Sequence, residues 1–365
     1  MAGDLQRDDG YDTSALRHHG DVDAEPGLLD FAVNVQGVAP PGWLRERLAA
    51  TLDGLARYPS ATHDEAARAA VARRHGRRPD EVLVLAGSAE GFALLPALRP
   101  RLACVVHPGF TEPEAALRGA GVPVTRVHTE EADGHRLRPA DVPAEADLVV
   151  VGNPTNPTGV LHPASAIRAL ARPGRVLVVD EAFADALPGE PESLAAAGDV
   201  PGLLVLRSLT KTWALAGLRA GYALAAPDLL ARLAAPRPQW PVGTIALEAV
   251  IACSEPTAVA QAQRAAEGLV AARAGQAAAL AAVDGVTVLP GAAPYLLLRL
   301  PDGSGERVRG ELRAAGVAVR RGDTFPGLCA DHLRVAVRPP EQVARLVEAL
   351  EKALDKVLHE IEVPA

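Results

Sequence analysis

The stretch Ser208-Leu209-Thr210-Lys211-Thr212-Trp213-Ala214-Leu215-Ala216-Gly217-Leu218-Arg219 places a lysine among hydroxyl residues, directly after the apolar run Leu203-Leu204-Val205-Leu206. That run reads as a buried strand, so Lys211 stands at a strand end. Burial lowers a lysine's pKa and frees its amine, which makes Lys211 a candidate Schiff-base nucleophile. Ser208, Thr210 and Arg219 suit a phosphate ester. A strand-end lysine also reads as a structural cation, so the rest of the chain decides.

Similar apolar runs recur along the chain with helix-length segments between them. They are Val82-Leu83-Val84-Leu85, Ala103-Cys104-Val105-Val106, Leu148-Val149-Val150-Val151 and Val176-Leu177-Val178-Val179, with Gly221-Tyr222-Ala223-Leu224 as a further edge strand. Continuous apolarity predicts strands covered on both faces, and alternation with helices predicts a mainly parallel α/β sheet. Reactive or polar residues follow several runs: Gly87-Ser88, His107, Asn153, Asp180 and Ser208. Ligands of open α/β sheets bind at the carboxyl ends of strands.

Pro236-Arg237-Pro238-Gln239-Trp240-Pro241 is a rigid break. An Ala-rich helical pattern follows over 245–282, interrupted by Pro256. Tyr295-Leu296-Leu297-Leu298, Val317-Ala318-Val319-Arg320 and Leu333-Arg334-Val335-Ala336-Val337 then read as strands, and a helix starts at Pro340. This part reads as a smaller α+β domain. The expected division is an N-terminal arm over 1–30, a large domain over 31–240 and a small domain over 241–365.

The 365 residues are 48% hydrophobic, enough for a large core. A net charge of −8 without a Lys/Arg cluster argues against nucleic acid or anionic membrane as a partner. Cys104, Cys253 and Cys329 are widely spaced, which argues for a reducing compartment and against structural zinc. The polar start lacks the features of a signal peptide, and no apolar run approaches the ~18 residues of a membrane span. The expectation is a cytoplasmic protein.

Four elements can be assembled around one cofactor. Ala86-Gly87-Ser88-Ala89-Glu90-Gly91 follows a strand and opens a helix, so the amides of Ser88 and Ala89 can hold a phosphate, or the turn simply caps the helix. Asn153-Pro154-Thr155-Asn156-Pro157-Thr158-Gly159 reads as a Pro-rich turn, or as a way to present the Asn156 amide to a phenolate oxygen. Asp180-Glu181-Ala182-Phe183 ends a strand with a carboxylate. It could cap a helix or hold a protonated ring nitrogen, and without a His or Cys cluster metal is set aside. The lysine segment is the fourth element.

Together these elements resemble fold-type I pyridoxal-phosphate enzymes of the class I/II aminotransferase superfamily, over about Leu29 to Leu350. The resemblance implies a large domain with a mainly parallel seven-stranded sheet and a small α+β domain. It implies pyridoxal 5′-phosphate as cofactor, joined to Lys211. Asp180 would pair with the ring nitrogen, Asn156 would bind the ring oxygen and Phe110 would stack on the ring. Gly87, Ser88, Ala89, Ser208, Thr210 and Arg219 would form the phosphate site. It also implies a homodimer, with Tyr58 reaching the neighbouring active site.

Two branches of the superfamily fit: threonine-phosphate decarboxylase of cobalamin biosynthesis, which makes (R)-1-amino-2-propanol phosphate, and histidinol-phosphate aminotransferase. Pro108-Gly109-Phe110-Thr111-Glu112, Phe183 where the aminotransferases usually carry tyrosine, and Arg17-His18-His19-Gly20-Asp21 resemble the decarboxylase, in its actinobacterial form. Decarboxylation of L-threonine O-3-phosphate is therefore the first expectation, with transamination between histidinol phosphate or a related amino donor and 2-oxoglutarate as the alternative. Arg334 matches the carboxylate-binding arginine of the family, and its planar fork suits bidentate contact. Asn34, Arg320, Arg338, His18 and His19 are further substrate candidates. The chain departs from the decarboxylase pattern after Asn34, where Val35-Gln36-Gly37-Val38 replaces an Asn-Pro-Leu-Gly-like turn. A non-catalytic regulator would not need Lys211, and a specialised carbon–carbon or replacement reaction also fits the cofactor set.

Overall fold

The computed structural model describes residues 15–362, so the first part of the expected N-terminal arm lies outside the described residues. A central sheet contains β1 (Val82–Leu85), β2 (Ala103–His107), β3 (Val124–His128), β4 (Leu148–Gly152), β5 (Val176–Asp180), β6 (Leu203–Ser208) and β7 (Gly221–Ala225). Their spatial order is β1-β7-β6-β5-β4-β2-β3, and only β7 runs against the others.

Both faces of this sheet are buried, which is why its strands read as unbroken apolar runs. Leu148 and Val150 of β4 enter one core with Val178 and Leu204, while Val149 and Val151 enter the other with Val179 and Val205. Edge strand β3 is the exception. Its sequence Val-Thr-Arg-Val-His is mostly half-buried and carries too little apolar signal to stand out. Register then aligns the strand ends. Gly152 lies opposite Asp180, and Asp180 lies opposite Leu206, so Asn153, Asp180 and Ser208 emerge side by side.

The Ala-rich pattern forms two helices, Thr244–Ser254 and Pro256–Ala281. Pro256 opens the second at a position that needs no amide hydrogen, and Glu255 before it is extended, as a residue preceding proline prefers. A second, antiparallel sheet contains β8 (Thr287–Val288), β9 (Tyr295–Arg299), β10 (Arg320–Arg321) and β11 (His332–Ala336), in the order β10-β11-β9-β8. Helices Gly305–Ala314 and Pro340–Glu362 pack on it through Val308, Leu312, Leu346 and Leu350.

The N-terminal segment joins this second core. Leu29–Asp30 pairs in parallel with Val317–Ala318, and Phe31 is fully buried beside Leu296 and Val335. Burying such a ring contributes about 1.5–3 kcal/mol. The single strand expected over Val317 to Arg320 is therefore two. Val317–Ala318 serves the N-terminal segment, and after Val319 the chain turns to pair Arg320–Arg321 with β11. No helix among the described residues is long and apolar enough to cross a membrane.

Candidate active site

A cavity of about 520 Å³ opens where the ends of β5 and β6 meet the second sheet, and it is lined by Asp180, Ser208, Thr210, Lys211, Arg320 and Arg334. Lys211 follows β6 by a short turn. Its carbonyl accepts from the amide of Gln36 at 2.9 Å, so the turn after Asn34 leans directly on the lysine segment. Burial, with Arg334 and Arg219 adding to it, pushes the Lys211 amine down to about 8, against the pull of Asp180. The amine is therefore available near neutral pH, as a carbonyl-attacking lysine requires.

Asp180 ends β5. Its Oδ1 accepts from the Ala182 amide at 3.0 Å, which leaves the other oxygen for a ligand. Burial pushes its carboxyl up to about 6 in the ligand-free chain, opposed by that hydrogen bond and by Lys211. A cationic ring nitrogen at this carboxylate would restore the charged form.

The residues expected to hold a phosphate converge. Ser88, Ala89, Ser208, Thr210 and Arg219 all line the cavity. The hydroxyls of Ser208 and Thr210 are 2.7 Å apart. Gly87 does not line the cavity but abuts the arginine: a Cβ there would sit 2.9 Å from Nη2 of Arg219, and its φ of +80° favours glycine in any case. Arg219 itself holds φ 61°, and its Nη1 donates to the Ala216 carbonyl at 3.0 Å. The backbone thus bends so that the guanidinium can lie against a bare glycine.

Asn34 carries a strong sign of a missing partner. It is 3% exposed, lines the cavity, and neither atom of its amide has a hydrogen-bond partner. Leaving both unmet costs about 1–3 kcal/mol per group, which a bound ligand would recover. Asn156 is held from the second sheet, since Nη1 of Arg334 donates to its Oδ1 at 2.6 Å. Nη2 of Arg334 donates to the Ala32 carbonyl, while its Nε is buried without a partner. The arginine lies 5.4 Å over the Tyr295 ring, and the Tyr295 hydroxyl donates to the Thr155 carbonyl at 2.9 Å. Phe183 meets Tyr295 edge-on at 5.1 Å, so an apolar ring occupies this wall.

Arg320 is 2% exposed and stands directly opposite Arg334 across β10 and β11. Like charges so placed repel, and burial, reinforced by Arg320, pushes Arg334 down to about 9. Arg320 stacks 4.6 Å from the Phe325 ring centroid, and its Nη2 donates to the His18 carbonyl at 2.7 Å. Asp23 approaches its Nη1 at 3.7 Å and also holds the His18 ring at 3.1 Å.

His18 thus touches the site through Arg320, while His19 lines the cavity and pairs with Glu112 at 2.5 Å. Phe110 lines it too, 5.5 Å from the His19 ring and 5.8 Å from Phe92. Two sequence candidates lie elsewhere. Arg338 spends its donors on the carbonyls of Asp30, Val35 and Val33 and lines a neighbouring cavity of about 710 Å³. Tyr58 is 74% exposed and stacks on Trp240 at 4.1 Å. Asp21, Asp23, Glu112 and Phe325 were not singled out from sequence. Their place depends on the N-terminal segment folding over the strand ends, for which no local pattern exists.

Comparison with known proteins agrees with this geometry. The family model "Aminotransferase class I and II" matches residues 28–350. A histidinol-phosphate aminotransferase of Mycobacterium tuberculosis strain H37Rv is 56% identical over 337 residues, covering 92% of this chain and 91% of that one. A threonine-phosphate decarboxylase of Salmonella typhimurium is 34% identical over 336 residues, covering 90% and 91%. The fold matches histidinol-phosphate aminotransferase from Sinorhizobium meliloti in complex with pyridoxal-5′-phosphate, with a TM-score of 0.81 at 19% identity over 95% of each chain.

Proposed function

This chain belongs to the class I and II aminotransferase family and is a pyridoxal 5′-phosphate enzyme, and from that premise we propose that it transfers the amino group of a phosphorylated amine, histidinol phosphate or a close relative, to 2-oxoglutarate. The observation that carries this reading is the Arg320–Arg334 pair. Two buried guanidinia face each other across adjacent strands at the cavity wall. Asp23 answers part of the charge on Arg320 at 3.7 Å, but Nε of Arg334 is buried without a partner, which leaves this guanidinium to an incoming anion. A phosphate ester in one half-reaction and a dicarboxylate in the other would each supply that anion.

The orphaned Asn34 amide, the Gly87–Arg219 cradle and the free oxygen of Asp180 fit the cofactor. When bound, pyridoxal phosphate supplies an electron sink for negative charge at the substrate Cα. Asp180 would hold the ring nitrogen in its charged form, and Asn156, fixed by Arg334, would present its amide to the ring oxygen. Phe110 would bound one face of the ring. Lys211, with its amine near 8, would take the Cα proton and return it as general base and acid. Arg334 would hold the anion of each substrate, the phosphate ester in one half-reaction and a carboxylate of the dicarboxylate in the other, and so orient Cα.

Relatives at 56% identity carry the aminotransferase name, whereas the decarboxylase name belongs to one at 34%. The first expectation from sequence, decarboxylation of threonine phosphate, therefore becomes the second reading. Phe183 supports it, because a ring without a hydroxyl would leave the cofactor's ring oxygen to Asn156. One parallel assay separates the two. Purified enzyme is given histidinol phosphate with 2-oxoglutarate, and separately O-phospho-L-threonine. Glutamate without carbon dioxide is the expected outcome; carbon dioxide with aminopropanol phosphate would replace this reading by the second. We propose a homodimer as well, supported by the exposed Tyr58–Trp240 stack.

A further inference from the structure

Away from the cavity wall, one loop gathers a thiol, an imidazole and two carboxylates. Cys329 is exposed on the segment between β10 and β11. Its Sγ lies 3.3 Å from Nδ1 of His332 and 3.9 Å from Oδ2 of Asp331. His332 is buried, and its Nε2 lies 2.9 Å from Oε2 of Glu131. An ionised carboxylate only accepts, so Nε2 carries the hydrogen in that contact. In the neutral ring Nδ1 is then the acceptor, and the Cys329 amide and the thiol both reach it at 3.3 Å.

Nucleophile, base and orienting carboxylate therefore stand in line. Asp331 accepts from the amides of Gly305 and Gly303 at 2.8 and 3.0 Å, beside its longer contact with the thiol. The remaining cysteines are sealed. Cys104 and Cys253 are fully buried, and burial pushes the Cys104 thiol up to about 12 and that of Cys253 up as well.

We infer that Cys329 is a modification site for small electrophiles and hydroperoxides, activated by His332 under the hold of Glu131. The Sγ proton passes to Nδ1 of His332. The sulfur then attacks the near oxygen of the hydroperoxide, so that an S–O bond forms and the O–O bond breaks. The far oxygen leaves with the electron pair and takes the proton from His332, departing as water or an alcohol. Sulfur is oxidised by two electrons and the peroxide reduced by two, and a thiol reductant reverses the sulfenic product.

The position gives this chemistry a consequence for the pocket. Glu131 stands in the turn Glu131–Asp133 after β3 of the large sheet, and it also holds Arg299 of β9 at 3.2 Å. His332 and Arg299 belong to the second sheet, so Glu131 ties the two sheets together. The same loop carries Phe325, which lines the cavity under Arg320. Oxygen added at Cys329 would draw His332 from Glu131 and loosen that tie. The effect expected is on substrate binding rather than on Lys211.

The test uses full-chain holoenzyme and iodoacetamide, with adducts read by mass spectrometry. The expected result is one adduct, on Cys329, formed at least about tenfold faster than on free glutathione. His332→Gln and Glu131→Gln should each slow it severalfold, and Cys329→Ser should abolish it. Labelling at the glutathione rate, or an unchanged rate in the folded Glu131→Gln protein, overturns the inference. A second arm oxidises the enzyme with hydrogen peroxide. KM should rise severalfold at constant kcat, recover with dithiothreitol, and stay unchanged in Cys329→Ser. An equal rise in Cys329→Ser, or an unchanged KM when the mass shows oxidised Cys329, overturns the link to the pocket. The labelling arm reads mass alone, so its outcome is independent of the proposed reaction.

Discussion

Arg334 donates to Asn156 across 2.6 Å, and so a residue of the second sheet holds the residue that would touch the cofactor's ring oxygen. The proposed substrate anchor and the proposed cofactor contact would thus act as one hydrogen-bonded unit. A substrate anion that pulled on Arg334 would also pull on Asn156. Arg334→Lys should therefore do more than weaken binding, because lysine has no fork to serve both partners. A drop in kcat/KM of roughly 10²-fold is expected, together with a shifted visible band of the bound cofactor. Steady-state kinetics and absorbance on the same sample check it; a change in KM with an unmoved spectrum would break the link.

Lys211→Met should split stability from function. The folded chain holds the amine at about 8, below its ordinary value, so between about 8 and 10.5 the unfolded chain binds more protons. The stability contribution is thus full above 10.5 and lost as pH falls through 8. At pH 7 the cofactor-free Lys211→Met protein should be more stable than wild type by about 1–3 kcal/mol. It should also lose the borohydride-reducible yellow adduct and nearly all activity. Denaturant melts of both apo proteins at pH 7 and pH 10 provide the comparison, and the gain should shrink to roughly a quarter at the higher pH.

Uptake of cofactor should follow the same proton. Only the neutral amine attacks the aldehyde, so the rate of reconstitution should rise about tenfold per pH unit below 8 and level off above it. Stopped-flow absorbance from pH 6.5 to 9 measures this directly. A flat profile would place the limiting step away from Lys211.

Gly87→Ala should weaken the phosphate cradle without touching the lysine. The new Cβ would meet Nη2 of Arg219 at 2.9 Å, and the φ of +80° is strained for alanine. A loss of about 1–2 kcal/mol is expected, read as a roughly tenfold or greater rise in the cofactor Kd. Equilibrium titration with pyridoxal phosphate decides it, the absorbance maximum being expected to stay in place.

Mixing two inactive chains tests the shared site. If Tyr58 serves the neighbouring subunit, Tyr58→Ala and Lys211→Ala chains should complement when refolded together. Half the dimers would be mixed, each with one complete site, giving roughly a quarter of wild-type activity. No recovery, with mixed dimers confirmed by mass, would confine Tyr58 to its own chain.

The parts of this site that sequence made legible are those that local chemistry encodes. Asp180, Asn156 and Lys211 each follow a doubly buried strand, and such strands announce themselves as apolar runs. Register then brings the ends together without further instruction. What sequence left hidden depends on distant pairing. Arg320 and Arg334 were visible as candidates, but not that they oppose each other. The parts played by Asp23 and Glu112 were not visible, since nothing local says that the N-terminal segment folds back onto β10 and onto Thr111 and Glu112. Strand β3 escaped because an edge strand need not be apolar.

The split at Val319 has a further meaning. On one side of this residue the chain grips its own N-terminal segment, and on the other it sets Arg320 against Arg334. Val319 is therefore a coupling pin: a shift of the segment from His18 to Phe31 is delivered to Arg320 within a few ångströms of backbone. A change made at the front of the chain, such as a fusion or a trimmed start, would register as altered substrate choice long before it registered as a lost fold.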